Sequence, residues 1–504
     1  MKRWAGAVTL LLVGWGLLSW QLAGRSLWFD EYLSLQMSRG SPAQVVAAAA
    51  GDIHPPLYFL GLAGWTTLAG VSDFALRWFS AAAGLLSVAL GAALARRWLG
   101  PRAALPAALL MAFAPPLVEF SRMARYYALL VALALLATLL LLRAARRPTL
   151  GRWLLYAAAG LALVSTFYPA ALLFAAHGLW LRWPGALPGG RPRRTWRGWM
   201  AAVAGTVLVA AALYGPTVLA RASTISRAGG ADLARSGLGL ALGVAFTGYT
   251  FAVGETLFPW NPFAWVGLAA VAALLFVGIR RRARGLWPAL AGLGLCAAGV
   301  ALVTTFVSVN TPFINVPVRG VFAWPLFGLA LAAGLPAAPR RVAAPLLAAL
   351  ALTWGAGLVN YYGGQQFLNP IYLTPAREAA AWLAAAASPG DALLIETDSL
   401  VGYYLAQPPA TRASVDAANP AAVAAALAAA PVRVWLVALG RDQTAAGSPA
   451  EAIRAALAAD YRLSATERWQ PLDAAYVRYK EMLLRRPTYT YRLTIETYTR
   501  RGSP

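Results

Sequence analysis

Four side chains capable of acid–base or ligand chemistry crowd one short stretch of this sequence. Asp30, Glu31, Asp52 and His54 all lie within residues 28–56, WFDEYLSLQMSRGSPAQVVAAAAGDIHPP. Elsewhere in the first 360 residues the only acidic side chains are Asp73, Glu119, Asp232 and Glu255. Ionisable groups close to an apolar phase are costly and are kept mostly where they act. The side chains of adjacent carboxylates such as Asp30 and Glu31 diverge in either a helix or a strand. One of them therefore reacts and the other orients it, and a carboxylate beside apolar surface suits general-base work. The structural alternative makes Asp30 the N-cap of a helix over 31–38, and the pair alone does not decide between the two. In Asp52-Ile53-His54-Pro55-Pro56, Asp52 or His54 would position a substrate while the prolines fix the entry into the next helix. Alternatively Asp52 caps that helix and His54 is solvated. The functional reading is favoured because this motif and the acidic pair fall on one face of the expected topology. Asp30, Asp52 and His54 together also offer ligands that a divalent cation would accept. A second group is Glu119-Phe120-Ser121-Arg122-Met123-Ala124-Arg125-Tyr126-Tyr127. Its two arginines present planar, permanently charged forks that match phosphate oxygens, and Arg319 offers the same fork. Their structural alternative is snorkelling at span ends beside an aromatic belt. His177 lies inside an apolar run and reads as a packed, hydrogen-bonded core residue.

The elements that must position these groups are membrane spans. The chain has 504 residues, 60% hydrophobic and 12% charged, where a soluble protein carries about 25% charged residues. Its apolar runs approach the roughly 20 residues that a helix needs to cross a bilayer. The net charge of +24 sits mostly in short clusters between those runs, which is the pattern of cytoplasmic loops rather than of a nucleic-acid surface. Cys296 is the single cysteine, so neither an intramolecular disulfide nor a thiolate metal site can form. With only His54 and His177 present, a multi-histidine metal centre is excluded as well. The N-terminal apolar run lacks a clear small-residue cleavage site and reads as a retained first span.

The clusters Lys2/Arg3, Arg96/Arg97/Arg102, Arg143/Arg146/Arg147/Arg152, Arg182/Arg191/Arg193/Arg194/Arg197, Arg280/Arg281/Arg282/Arg284 and Arg340/Arg341 are expected on the cytoplasmic side. Every acidic residue before position 360 falls between them, on the other side. Eleven spans follow: 5–22, 74–95, 103–118, 126–142, two shortened helices within 153–183 turning near Tyr168-Pro169, 199–219, 263–279, 287–307, 318–335 and 342–360. The segment 57–71 is too short to cross and reads as a juxtamembrane helix begun by Pro55-Pro56. Residues 221–262 remain external, with an apolar helical stretch over 237–253 and a turn at 259–262; the loop NTPFINVPVR is external too. The N-terminus is inside and the C-terminus outside.

At about Tyr361 the composition changes, and the last 140 residues carry twelve of the nineteen acidic side chains. Helices over 375–387, 420–430 and 449–459, with strands over 391–397, 432–439 and within 488–498, make residues 363–504 a small external α/β domain after a transmembrane domain over 1–362. It has no glycine pattern for a nucleotide.

The acidic pair after span 1, HPPLYFLGLAGW, DFALRWFSAAAGLLSV and SRMARYYALL together resemble the bacterial membrane glycosyltransferases of the GT-C type, which include the protein O-mannosyltransferases and the lipid A aminoarabinose transferase. The likeness is strongest over about 25–145. It implies an inverting transfer of a sugar from a polyprenyl-phosphate donor to a hydroxyl of a protein, lipid or glycan acceptor, on the external face of the cytoplasmic (inner) membrane. In those terms Asp30 is the base and Glu31 its neighbour, both catalytic. Asp52 and His54 line the pocket, Arg122 and Arg125 hold donor phosphate, and Glu119, Tyr126 and Arg319 join the substrate site. The residues fit that chemistry independently. A hydroxyl acceptor needs a base within hydrogen-bond reach, and a phosphate leaving group needs charge stabilisation rather than an acid. The competing readings are a transporter or flippase for a lipid-linked substrate, and a non-enzymatic envelope assembly or sensor protein.

Overall fold

A computed structural model describes residues 2–52, 54–187, 192–227, 237–306, 317–395, 400–407, 413–440, 449–469, 474–484 and 492–502. The chain divides into two compact units, one of residues 1–22 with 34–365 and the other of 23–33 with 366–504. The first is helical: α1 (Lys2–Ser19), the end of α2 (Phe29–Met37), α3 (Pro42–Gly51), α4 (Leu57–Ala69), α5 (Asp73–Trp98), α6 (Ala104–Phe113), α7 (Pro115–Ser121), α8 (Tyr127–Arg146), α9 (Leu150–Val164), α10 (Leu172–Arg182), α11 (Pro192–Arg227), α12 (Gly237–Val253), α13 (Pro262–Arg280), α14 (Leu286–Phe306), α15 (Trp324–Ala337) and α16 (Arg340–Gly363).

Every expected span is occupied by a helix, and the chain is a polytopic α-helical membrane protein. Among the described residues seven helices are long and apolar enough to cross, or eight when α6 and α7 count as one bent span. The count of eleven is not reached on length, because the expected first span and the hairpin of α9 and α10 are shorter. Most of the loop expected over 310–319 lies outside the described residues. The stretch 28–56 was expected to hold one helix at most but holds two. The second, α3, starts at a Ser41 capping box with Gln44, a signal present in the sequence that the acidic residues overshadow.

The bend of 55° between α6 and α7 has a local cause. Pro115 and Pro116 open α7, and the residue before them, Ala114, is extended at φ −62°, ψ 121°, as a residue preceding proline prefers. Gly254, at φ 94°, follows α12 where a Cβ would lie 2.7 Å from Pro115. Only glycine fits both the backbone and the approach.

Polar ties brace the apolar helices. The hydroxyl of Thr138 on α8 donates to the Ala134 carbonyl at 2.8 Å and must therefore accept from His177 Nε2 at 3.1 Å. His177 Nδ1 then accepts from the Tyr156 hydroxyl at 2.9 Å. A neutral imidazole with both nitrogens engaged thus joins α8, α9 and α10, which is the packed role expected of it.

The second unit carries a five-stranded mixed sheet, β1 (Ala392–Ile395), β2 (Val415–Asp416), β3 (Arg433–Gly440), β4 (Tyr461–Trp469) and β5 (Arg492–Arg500), in the order β2-β1-β3-β5-β4. β1 runs parallel to β2 and β3, while β5 is antiparallel to β3 and β4. Parallel neighbours need crossovers, which Leu400–Leu405 and Pro420–Ala428 supply as helices. Alternate residues Val434, Leu436 and Ala438 form the core with Leu394, Ile453 and Leu457. Residues 396–399 and 485–491, parts of two expected strands, lie outside the described residues.

The stretch 23–33 is built into this second unit. Leu27 N–H donates to the Tyr404 hydroxyl at 2.7 Å, Ser26 Oγ to Glu378 Oε2 at 2.7 Å, and Arg377 to the carbonyls of Ala23 and Arg25. The Trp28 ring meets Tyr372 edge-on with centroids 4.8 Å apart.

Candidate functional site

The first unit brings Asp52, His54, Arg125 and Tyr126 together. Tyr58 on α4 contacts Ser80 of α5 at 3.0 Å, and Ser80 Oγ donates to the carbonyl of Arg125 at 2.9 Å. Two helices thereby fix the backbone between α7 and α8 where the arginine sits. Its guanidinium donates to Ser34 Oγ at 3.1 Å and meets His54 Nε2 at 3.3 Å. Arginine can only donate, so Nε2 is the acceptor and the imidazole proton sits on Nδ1. From there it donates to Asp52 Oδ2 at 2.9 Å. The chain Asp52–His54–Arg125 therefore runs from carboxylate through neutral imidazole to guanidinium.

An aromatic wall backs this chain. The His54 and Tyr126 rings lie 5.4 Å apart, Tyr126 stacks on Phe167 at 5.4 Å, and the Arg125 guanidinium lies 5.3 Å from the Tyr126 centroid. Arg125 is 2% exposed, whereas the His54 and Asp52 side chains are 15% and 32% exposed. A buried, oriented positive charge behind a half-open polar pair can stabilise negative charge that develops on a phosphate. Asp52 follows α3 and does not cap α4, whose N-cap is Pro56 without a side-chain bond. That removes the capping alternative for Asp52.

Arg122 has a different placement. Its Nη1 donates to the carbonyls of Leu17 and Leu18 at 3.0 and 2.9 Å, Nη2 to Gln21 at 3.1 Å, and Nε to the Tyr361 hydroxyl at 3.2 Å. Arg77 on α5 donates to the Leu22 carbonyl at 3.0 Å, and Tyr362 donates to Leu17. The last carbonyls of a helix have no partners of their own and carry partial negative charge. Two buried arginines supply donors and charge at the end of α1. Arg122→Ala is expected to cost about 3 kcal/mol or more of stability, since bonds to charged groups contribute roughly 1.5–3 kcal/mol each. The thermal midpoint of the purified protein measures this, with Arg122→Lys recovering only part. An unchanged midpoint would refute the clamp.

Glu119 is buried on α7, and Arg319 is half-buried in the short turn Pro317–Ala323. Asp30 and Glu31 belong to the second unit, in the first turn of α2. That helix begins at Phe29, and Trp28 N–H donates to Glu31 Oε2 at 3.1 Å. Asp30 is therefore not the N-cap; Glu31 at the third helical position closes the start instead. Glu31 is fully buried and Asp30 is half-buried. Among the described residues no group of three or more His, Cys, Asp or Glu side chains could hold a metal ion. Ser34, Tyr58, Ser80 and Phe167 support the site without having been foreseen. Three are ordinary residues of helices and Phe167 lies in the turn after α9, and only the fold shows what they touch.

Residues 53–216 match the family model described as dolichyl-phosphate-mannose-protein mannosyltransferase. None of the curated proteins matches the chain. Among solved structures, the fold is similar to ArnT from Cupriavidus metallidurans in the apo state, with 14% identity, 98% of each chain covered and a TM-score of 0.58. The same protein bound to undecaprenyl phosphate gives 14% identity, 98% coverage of each chain and a TM-score of 0.56. The likeness to that protein is one of fold and runs across nearly the whole chain.

Proposed function

We propose that this chain is an inverting glycosyltransferase. It moves a sugar from a polyprenyl-phosphate donor to a hydroxyl of a protein, lipid or glycan acceptor at the external face of the cytoplasmic membrane. The observation that carries the reading is the place of the Arg125–His54 pair. It lies inside the segment matched by a mannosyltransferase family model, on a fold similar to a protein solved with undecaprenyl phosphate.

In this reading Asp30 accepts the proton of the acceptor hydroxyl as its oxygen forms a bond to the anomeric carbon. The bond from that carbon to the phosphate oxygen breaks, and the electron pair leaves with the prenyl phosphate. Arg125 stabilises the charge that accumulates there, and one displacement inverts the anomeric centre. Asp52 and His54 hold Arg125 in place, and Glu31 fixes the helix that presents Asp30. Glu119, Tyr126 and Arg319 complete the substrate surface, while Arg122 supports it through α1. Residues 1–362 form the catalytic transmembrane domain and 363–504 an external one, with the N-terminus inside.

Membranes containing the protein and a radiolabelled polyprenyl-phosphate hexose should transfer label to an endogenous acceptor with inverted configuration, and a nucleotide sugar should not replace the donor. Absence of transfer from a panel of prenyl-phosphate sugars, in membranes retaining native acceptors, would reject the reading. One observation favours a second reading. The broken span α6–α7 resembles the discontinuities that transporters place beside substrate. Movement of labelled lipid across proteoliposomes with the sugar still attached would support that alternative.

A further inference from the structure

The first unit has a cavity of about 600 Å³ that the proposed reaction does not use. It lies where α8 and α10 end and α11 begins, and Trp180, Arg182, Trp183, Thr195, Trp196 and Arg197 line it. Its floor is fixed. Trp180 Nε1 donates to the Pro288 carbonyl at 2.7 Å, and its ring lies 4.7 Å from that of Trp98, which donates to the Ala186 carbonyl at 2.8 Å. Its wall is aromatic and basic. The Arg182 guanidinium lies 4.2 Å from the Trp196 centroid, and Trp196 packs on Trp199 at 4.6 Å. Both Arg182 and Arg197 are exposed.

Among the described residues, none of those lining the cavity is acidic. The sequence holds no aspartate or glutamate between Ser121 and Ala231. Ala145, also on the cavity wall, precedes Arg146, whose guanidinium donates to the Arg97 carbonyl at 2.9 Å and so draws the ends of α5 and α8 together. Past Trp199, α11 turns apolar side chains outward: Met200 is 45% exposed, Leu208 70% and Leu213 58%. Only 11% of its spanning window is buried. A ligand that satisfies both parts has an anionic head and an apolar tail. The volume falls within the range of small-molecule pockets, roughly 300–1,000 Å³.

We infer that this cavity binds the phosphate-bearing headgroup of an anionic membrane phospholipid, with its acyl chains laid along the outer face of α11. Arg182 and Arg197 meet the phosphate, and the tryptophans hold the glycerol region at the depth where aromatic side chains collect in bilayers. The inference is independent of glycosyl transfer, because it is read by binding alone.

The test uses the purified full-length chain in neutral detergent, with phosphatidylglycerol, phosphatidylcholine and inorganic phosphate as probes, followed by native mass spectrometry and thermal shift. Wild type should retain phosphatidylglycerol and gain thermal stability from it; phosphatidylcholine should do neither, and millimolar phosphate should not displace the bound lipid. Arg182→Ala with Arg197→Ala should weaken binding roughly tenfold or more, since a basic residue near an anionic headgroup contributes on the order of 1 kcal/mol, about fivefold. Arg340→Ala with Arg341→Ala removes the same charge elsewhere and should leave binding within about twofold of wild type. If the first pair does not purify as a single species, Arg197→Glu alone, on an exposed side chain, carries the same test. Three outcomes would overturn the inference: undiminished binding in the Arg182/Arg197 variants, equal loss in the Arg340/Arg341 pair, or equal retention of phosphatidylcholine. Displacement of the lipid by phosphate would identify a free-anion site and overturn it too.

Discussion

Asp30→Asn is expected to lower sugar transfer by about 10² or more at wild-type protein abundance, the loss typical of a missing general base. The substitution keeps the shape of the side chain while removing its charge and its capacity to take a proton. It should leave in place the bond that closes the helix start, which Trp28 N–H makes to Glu31 Oε2. The proposed roles follow the difference in exposure: Asp30 is half-buried and Glu31 fully buried. Glu31→Gln retains an oxygen for Trp28 N–H, so its transfer should fall by less than that of Asp30→Asn. Rates of label transfer in matched membranes decide between the two carboxylates. If Glu31→Gln proves the more damaging and Asp30→Asn is indifferent, the base is Glu31.

Arg125→Ala should be nearly as severe, with transfer reduced on the order of 10²–10³, as when one preorganised donor is removed from a developing charge. Arg125→Lys should recover little. The native side chain engages Ser34 and His54 from different nitrogens, a geometry that a single ammonium does not reproduce. The kinetic signature separates this from misfolding: transfer falls at temperatures well below the thermal midpoint, where the variant is still folded. Arg122→Ala should show the opposite pattern, with the midpoint falling first. Arg125→Lys at half of wild-type activity or better would remove Arg125 from the phosphate-binding role.

The spans were legible because apolar runs bounded by arginines leave few alternatives. The helix over Leu57–Ala69 followed from Pro55-Pro56 and from a run too short to cross. The hairpin turning at Tyr168–Ala171 followed from thirty-one residues that begin and end beside arginines. The two arginines of SRMAR were not separable in that way. Both stand at a span end beside tyrosines, yet one clasps carbonyls about a hundred residues earlier in the chain and the other meets His54 seventy-one positions away. Such pairings are set by helix packing, which periodicity does not encode. Arg77 escaped notice for a related reason: a lone arginine inside an apolar helix reads as a surface residue until its acceptor is known. The inclusion of residues 23–33 in the second unit was equally hidden, because backbone carbonyls and a tyrosine hydroxyl make most of those bonds and leave no sequence pattern.

The clamp on α1 sets an order of events in biogenesis. α1 emerges from the ribosome before its partners, and its terminal carbonyls wait for Arg77, then Arg122, and finally Tyr362, which reaches Leu17 across 345 residues. The end of α1 is thus completed only after later helices are made, and α16 acts as its latch. A nascent chain interrupted before Arg122 keeps an unfinished helix end in an apolar setting, where unsatisfied backbone groups are costly. That exposed end distinguishes an incomplete chain from a complete one and offers membrane quality control a mark to read.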